Sequence, residues 1–268
     1  MQLLFNERGV ISLAAQSVHF MIRRGLNQWH TVHPSITRLT CMVFLEKRAT
    51  ILVAGSQETM LKLDLAKGTV IDEFDTNSEY VMLKAGKYIC AATSSGSVDL
   101  LDPGTLQVIK TWQAHSASIS DLQVSANSLV TCGRALRPHG PAMLESLAKV
   151  YDMKSMQQLA PIPFPTGAAY VQIHPKLSTT CVLGAPNGQL QVIDLVNHNT
   201  SNIVMLGNYV THFSISGSGN IWAIADENNQ VHLWGSPNKT INFNDNVQLP
   251  EYADGDDQVQ YMGVDDDV

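Results

Sequence analysis

Short apolar stretches with strand-like patterns follow one another along the chain and are separated by turn-forming residues. In KYICAATSSGSVDLLD (residues 87–102), a strand pattern at Ile89–Thr93 precedes a Ser-Ser-Gly-Ser turn and a second strand pattern at Val98–Asp102. The arrangement returns in TTCVLGAPNGQLQVID and in NIWAIADENNQVHLW. Glycine and asparagine supply the positive φ that tight hairpins need. With almost no convincing helical periodicity, the pattern predicts an all-β fold.

A five-residue pattern recurs along the chain: an apolar residue, any residue, two apolar residues and often Asp. Its copies end at residues 22, 64, 102, 152, 194 and 235, so their spacings are 42, 38, 50, 42 and 41 residues. This is the period of a four-stranded propeller blade. The sequence therefore predicts a divergent WD-repeat β-propeller with six recognisable blades, at residues 2–32, 36–74, 79–112, 117–161, 168–206 and 209–243.

The long interval contains an insertion in the fourth recognisable blade. In VTCGRALRPHGPAMLESLAKVYD (130–152), about a dozen residues separate two strand patterns, SLVTC and LAKVYD. Arg134, Arg137 and His139 are the candidate interaction residues, because they can meet carboxylate or phosphate and binding residues concentrate on loops held by rigid scaffolds. A tolerated surface insertion is the alternative, since loop length costs little stability.

Charge is unevenly distributed. The formal net charge is −7, and residues 251–268 contain seven acids and no Lys or Arg, which leaves 17 acids and 17 bases in residues 1–250. A balanced body argues against a broad nucleic-acid footprint. We therefore predict a propeller domain at 1–243 and an acidic, disordered tail or linker at 244–268.

Candidate chemistry is sparse. We predict no catalytic, cofactor-binding or metal-ligating residue, because no phosphate loop, nucleophile elbow or paired-ligand motif is present. The equivalent carboxylates Asp64, Asp102, Asp152 and Asp194 are expected to cap turns. His115 and Asp121 stand near the Gly-His and turn-Asp places of the WD motif, and His115 is expected to stabilise a turn. The four cysteines are scattered, which favours buried free thiols in a reducing compartment.

The insertion, together with GAAYVQIHPKLSTT, GQLQVIDL and INFNDNVQLPEYAD, resembles the N-terminal propeller of the catalytic subunit of the Pan poly(A)-specific ribonuclease. The matching features are a Cys-Gly-Arg strand exit, an insertion with arginine and glycine, and a return strand ending in Val-Tyr-Asp. The resemblance implies a seven-bladed propeller followed by a linker and catalytic domains. We therefore expect the chain to lack the first blade and the exonuclease domain.

The resemblance also implies a function. It implies a non-catalytic interaction propeller that helps to recruit the nuclease to mRNA tails coated with poly(A)-binding protein, for poly(A) shortening and mRNA decay. The expected partners are a pseudokinase subunit, bound through the C-terminal linker, and the particle of poly(A) and its binding protein. Bare RNA binding is expected to be weak at most, no membrane partner is expected, and the expected location is the cytoplasm, with P-bodies and the nucleus as further sites. The alternatives are a generic WD-repeat scaffold, a propeller enzyme with a channel site, and a direct RNA binder.

Overall fold

The computed structural model describes residues 2–5, 9–22, 25–35, 37–45 and 49–235, with only the backbone described for residues 2–5 and 201. These residues form strands and turns and no helix. The strands form six consecutive antiparallel sheets in the arrangement of propeller blades. Among these residues, no helix is long and apolar enough to cross a membrane.

Five of the six sheets are simple antiparallel sheets whose strands are adjacent in chain order. The first contains β1 (Gln2–Phe5), β2 (Gly9–Leu13), β3 (Val18–Ile22) and β4 (Asn27–Thr31); the second, β5 (Leu39–Leu45), β6 (Thr50–Gly55), β7 (Thr59–Asp64) and β8 (Val70–Asp75). The third contains β9 (Tyr80–Ala85), β10 (Ile89–Thr93), β11 (Ser97–Leu101) and β12 (Val108–Gln113).

The fourth sheet carries two additional short strands. Its path runs through β13 (Ile119–Val124), β14 (Ser128–Ala135), β16 (Leu147–Asp152) and β17 (Gln157–Gln158), while β15 (Met143–Leu144) pairs with β14 and β18 (Ile162–Pro163) with β16. The fifth sheet contains β19 (Tyr170–Ile173), β20 (Thr180–Gly184), β21 (Gln189–Asp194) and β22 (Thr200–Met205). The described part of the sixth contains β23 (Val210–Ile215), β24 (Ile221–Asp226) and β25 (Val231–Gly235).

The hydrophobic core lies between the sheets. Each of five buried clusters joins two consecutive sheets, from the first and second to the fifth and sixth. Strand β10 shows why its first four residues are all apolar: Ile89 and Ala91 pack towards the second sheet, whereas Cys90 and Ala92 pack towards the fourth. A strand buried on both faces needs a continuous apolar run rather than an alternating one.

The recurring five-residue pattern marks the third strand of every sheet. Its copies coincide with β3, β7, β11, β16, β21 and β25, which confirms the predicted repeat and the positions of the blades. Four of these strands are followed by a turn, and each of the four turns begins with one of the aspartates that were predicted as caps. Asp64, for example, accepts hydrogen bonds from the backbone N–H groups of Ala66 at 2.7 Å and Lys67 at 2.9 Å.

The other three aspartates accept equivalent backbone bonds, which confirms the turn-capping prediction. Hydrogen bonds from the hydroxyl and the backbone N–H of Ser155 are the main reason why the pKa of Asp152 lies below its ordinary value. The fifth residue of each turn has positive φ, and only Gly68 among the four is a glycine. The others are Leu106, Met156 and His198, with φ of 61°, 57° and 57°.

Side chains on the first strand of two sheets form hydrogen bonds to the first strand of the next sheet. Asp121 on β13 accepts a hydrogen bond from the backbone N–H of Val171 on β19 at 2.8 Å, and its other oxygen accepts one from the N–H of Leu122 at 2.8 Å. Tyr170 on β19 in turn donates its hydroxyl to the carbonyl of Val210 on β23 at 2.9 Å. Asp121, which stands near the turn-Asp place of the WD motif, thus lies in a strand beside a register shift and links two blades.

Two predictions fall at the end of the chain. The sixth predicted blade extends to residue 243, and the predicted acidic tail spans 244–268. Both the boundary and the tail lie outside the described residues.

Candidate interaction hairpin

The insertion of the fourth blade is a hairpin built as a continuation of β14. The strand continues to Ala135, and β15 returns beside it, with Arg134 opposite Leu144 and Ala135 opposite Met143. The N–H of Glu145 then bonds the carbonyl of Gly133 at 2.9 Å. The expected irregular loop of about a dozen residues is therefore wrong in part: paired backbone occupies its base, and the unpaired tip is limited to residues 136–142.

The opposite edge of this extension is also bonded. Arg134 donates its N–H to the carbonyl of Ser118 and accepts at its own carbonyl from Ala117, both at 2.9 Å. The N–H of Leu136 donates to the hydroxyl of Ser116 at 3.1 Å. Because backbone groups on both edges are satisfied, the base of the hairpin is held as rigidly as an inner strand of a sheet.

A buried histidine explains the glycine of the Cys-Gly-Arg exit. His115 is 1% exposed and lies directly beneath Gly133, where an added Cβ would approach the imidazole ring to 2.3 Å. Any other residue at this position would displace the ring or the strand. The glycine is required by this close approach and not by an unusual backbone conformation.

His115 connects the return arm of the hairpin to the core. Its Nε2 lies 2.9 Å from the hydroxyl of Thr131, and its Nδ1 lies 3.1 Å from a carboxylate oxygen of Glu145. Lys149 lies 3.5 Å from the same oxygen and donates to the carbonyl of Ala114. Burial lowers the pKa of His115, against the opposing effect of Glu145. The predicted turn-stabilising role therefore describes only part of what His115 does, because this residue links three segments of the blade.

The three predicted residues lie on the hairpin and are all exposed, but their surroundings differ. Arg134 donates from its guanidinium to the carbonyl of Ala142 at 3.4 Å and therefore crosses the hairpin. Arg137 lines an open cleft of about 360 Å³. His139 stands at the tip next to Gly140, whose φ is 103°. Arg137 and His139 thus stay candidate interaction residues on the strength of their exposure, whereas Arg134 also supports the loop.

Sequence reasoning missed the apolar part of the hairpin. Leu136, Met143 and Leu147 are 69%, 42% and 40% exposed, and Leu144 contributes to the cleft. Their signal was available, since Leu136, Met143 and Leu144 place three large apolar residues within the insertion, and contiguous exposed apolar surface marks interaction sites.

Other groups of reactive residues are inert or dispersed. Cys41, Cys90, Cys132 and Cys181 are buried and free, as predicted, and burial raises the pKa of Cys41 and of Cys90 to about 12. Such thiols have little nucleophilic character. Within the described ranges, no cluster of three or more His, Cys, Asp or Glu side chains could hold a metal ion.

Comparison with known proteins gives consistent results. The family described as PAN2 N-terminal matches residues 1–235. The chain is 45% identical over 254 residues to the PAN2-PAN3 deadenylation complex catalytic subunit pan2 of Aspergillus clavatus, an alignment that covers 94% of this chain and 22% of that protein. It is 44% identical over 257 residues to the corresponding subunit of Phaeosphaeria nodorum, again with 94% and 22% coverage.

A solved structure supports the fold. The Pan2 WD40 domain of Neurospora crassa superimposes with a TM-score of 0.82 at 41% identity, covering 89% of this chain and 75% of that one. The chain spans about a fifth of the length of the curated relatives it matches.

Proposed function

This chain belongs to the family of PAN2 N-terminal domains, and from that premise we propose that it is the non-catalytic interaction propeller of a PAN2–PAN3 deadenylation complex. It helps to recruit the nuclease to mRNA tails coated with poly(A)-binding protein, so that the tails are shortened. The names of its relatives and their aligned N-terminal region support this role. The hairpin is the observation that carries it, because a rigid base presents exposed arginine and apolar side chains.

The charge distribution favours recognition of a protein-coated tail over recognition of bare RNA. A bare-RNA binder gains most of its affinity by neutralising phosphates, whereas residues 1–250 are balanced in charge. Two hairpin arginines neutralise a couple of phosphates at most. In a protein interface, the same desolvated arginines are typical hot spots, worth about 2 kcal/mol or more.

The test compares naked poly(A) with poly(A) loaded with its binding protein, at about physiological salt. We expect negligible capture of naked poly(A), measurable capture of the loaded form, and loss of that capture in Arg134→Ala with Arg137→Ala. The matched control is Lys154→Ala with Lys176→Ala, which removes two exposed cations elsewhere. Tight, steeply salt-dependent binding of naked poly(A) would refute protein recognition, and unchanged capture by the arginine variant would return the hairpin to a tolerated insertion.

Two further parts of the proposal concern partners and location. The segment 244–268, outside the described residues, is proposed to contact the pseudokinase subunit, a role supported by the PAN2–PAN3 name of the relatives. Co-purification of that subunit with the full chain tests this. A cytoplasmic location, with P-bodies and the nucleus as further sites, is compatible with four free, buried thiols, and imaging of a fluorescent fusion tests it.

Catalytic inactivity is the last part of the proposal. The aligned relatives are catalytic subunits of which this chain covers 22%, from the region that the N-terminal family describes. Incubation of the purified chain with labelled poly(A) and Mg²⁺ should leave the tail length unchanged. Shortening that persists through repeated purification would contradict the proposal.

A further inference from the structure

We propose that the cleft beside the hairpin binds a short segment of a partner protein in which an apolar side chain stands next to carboxylates. This inference rests on the proposed function, since it names the chemistry of the partner at the same surface. It also distinguishes the two arginines, because Arg137 lines the cleft and Arg134 crosses the hairpin.

The shape of the cleft fits a small apolar group. It has a volume of about 360 Å³ and is lined by Met143, Leu144 and Leu147 on the return arm and by Ala135 and Arg137 on the outgoing arm. This volume lies at the low end of the range for ligand pockets. It suits one or two side chains of an extended peptide.

The charge of the cleft favours a partner segment in which an acidic residue stands next to the apolar one. The carboxylate of Glu145 also lines the cleft, but its side chain is 15% exposed and lies within 3.5 Å of His115 and Lys149. Arg137 forms no ion pair within the described part of the chain. A partner carboxylate would therefore meet a free guanidinium, and such charge-assisted bonds are stronger than neutral ones.

A protein segment fits this surface better than RNA does. Single-stranded RNA is held by stacking of bases on aromatic side chains and by a groove of cations along the backbone. The residues that line the cleft include no aromatic side chain and one arginine. Met143 and Leu147 are instead exposed by 42% and 40%, and burial of their apolar surface is what a peptide side chain would supply.

The cleft is also formed before any partner arrives. The outgoing arm is bonded to residues 116–118 on one edge and to β15 on the other. The return arm is bonded to the outgoing arm through the N–H of Glu145, which donates to the carbonyl of Gly133. Because the walls formed by Ala135 and the return arm are already paired, ordering on binding is limited to the tip that carries Arg137, which keeps the entropic cost small and favours recognition of a short segment.

The experiment uses the full chain with ¹³C-labelled methionine methyl groups and follows Met143 by NMR. The probes are the peptides EELFEE, KKLFKK and EEGGEE and an oligo(A) RNA of matched length. We expect EELFEE to shift the Met143 signal saturably, with a Kd below about 1 mM, and the other probes to leave it unchanged. The buried Met42 and Met60 provide internal references.

Two variants of equal charge change test the role of the arginine. Arg137→Glu should weaken the binding of EELFEE at least tenfold, whereas Lys176→Glu, at an exposed site outside the hairpin, should not change it. Saturable shifts caused by KKLFKK or oligo(A), or an equal effect of the two variants, would overturn the proposal. So would the absence of any EELFEE shift.

The two proposals fail in distinguishable ways. If EELFEE does not bind but Arg137 is still needed to capture protein-coated poly(A), the peptide chemistry is wrong and the recruitment function stands. If EELFEE binds but coated poly(A) is not captured, the cleft is a peptide site and the recruitment function is wrong.

Discussion

Protonation of Asp121 should couple the stability of the propeller to pH. Burial raises the pKa of its carboxyl group from 3.8 to about 6, although Lys84 and two backbone N–H donors act in the opposite direction. Burial raises the pKa values of Cys132, Cys181 and Tyr170, and the nearby Asp121 raises them further.

The sign of this effect follows from the direction of the shift. The folded chain binds a proton in the range between about pH 6 and pH 4, where the unfolded chain remains ionised. The resulting contribution to stability is fully present below the unfolded pKa and is lost as the pH rises through about 6. Lowering the pH from 7.5 to 5.0 should therefore raise the free energy of unfolding by at most about 1.4 kcal/mol from this group.

Urea denaturation of the wild type and of Asp121→Asn at pH 7.5 and 5.0 isolates this contribution, because other titrating groups are common to both. We expect the wild type to gain about 1 kcal/mol more than the variant on acidification, which corresponds to roughly 2–4 °C in melting temperature. Asp75→Asn, at an exposed carboxylate on β8, should follow the wild type. Identical pH profiles for Asp121→Asn and the wild type would refute the reasoning.

Two backbone substitutions give further tests by thermal or urea denaturation. Gly133→Ala should destabilise the chain by about 2 kcal/mol, since its Cβ would lie 2.3 Å from a buried ring, whereas Gly217→Ala, in open space, should change stability little; equal effects would contradict the packing argument. His198→Gly should stabilise the chain by about 0.5–1 kcal/mol, because relief of a positive φ gains about 1–2 kcal/mol and the flexibility of glycine offsets part of that gain. Leu106→Gly should destabilise it, because this residue is 6% exposed and its burial outweighs the strain; stabilisation by both changes would contradict that balance.

The sequence predicted those parts of the fold that repeat. The third-strand pattern located all six sheets because it recurs at the third strand of each of them. The capping aspartates were predictable for a similar reason: a carboxylate two or three residues before free N–H groups stabilises a turn locally. Local chemistry that recurs at a constant period is visible without knowledge of tertiary contacts.

The hairpin insertion was predictable in position but not in construction. The interval of 50 residues showed where the insertion lies. The pairing of Ala135 with Met143 across a tip with two prolines has no local signature, because the register depends on bonds to residues 116–118. Contacts between distant residues, such as those of His115 with Glu145 and of Asp121 with Val171, likewise depend on how segments meet in space.

The bonded base of the hairpin makes its tip an exchangeable cassette. Residues 136–142 begin and end at paired strand positions, so the distance between the two ends is fixed by the blade and not by the tip. A replacement of similar length has only to close that gap, at a small entropic cost that grows slowly with length. Foreign recognition loops grafted between Ala135 and Met143 should therefore leave the blade intact, which makes this propeller a scaffold for engineered binding proteins.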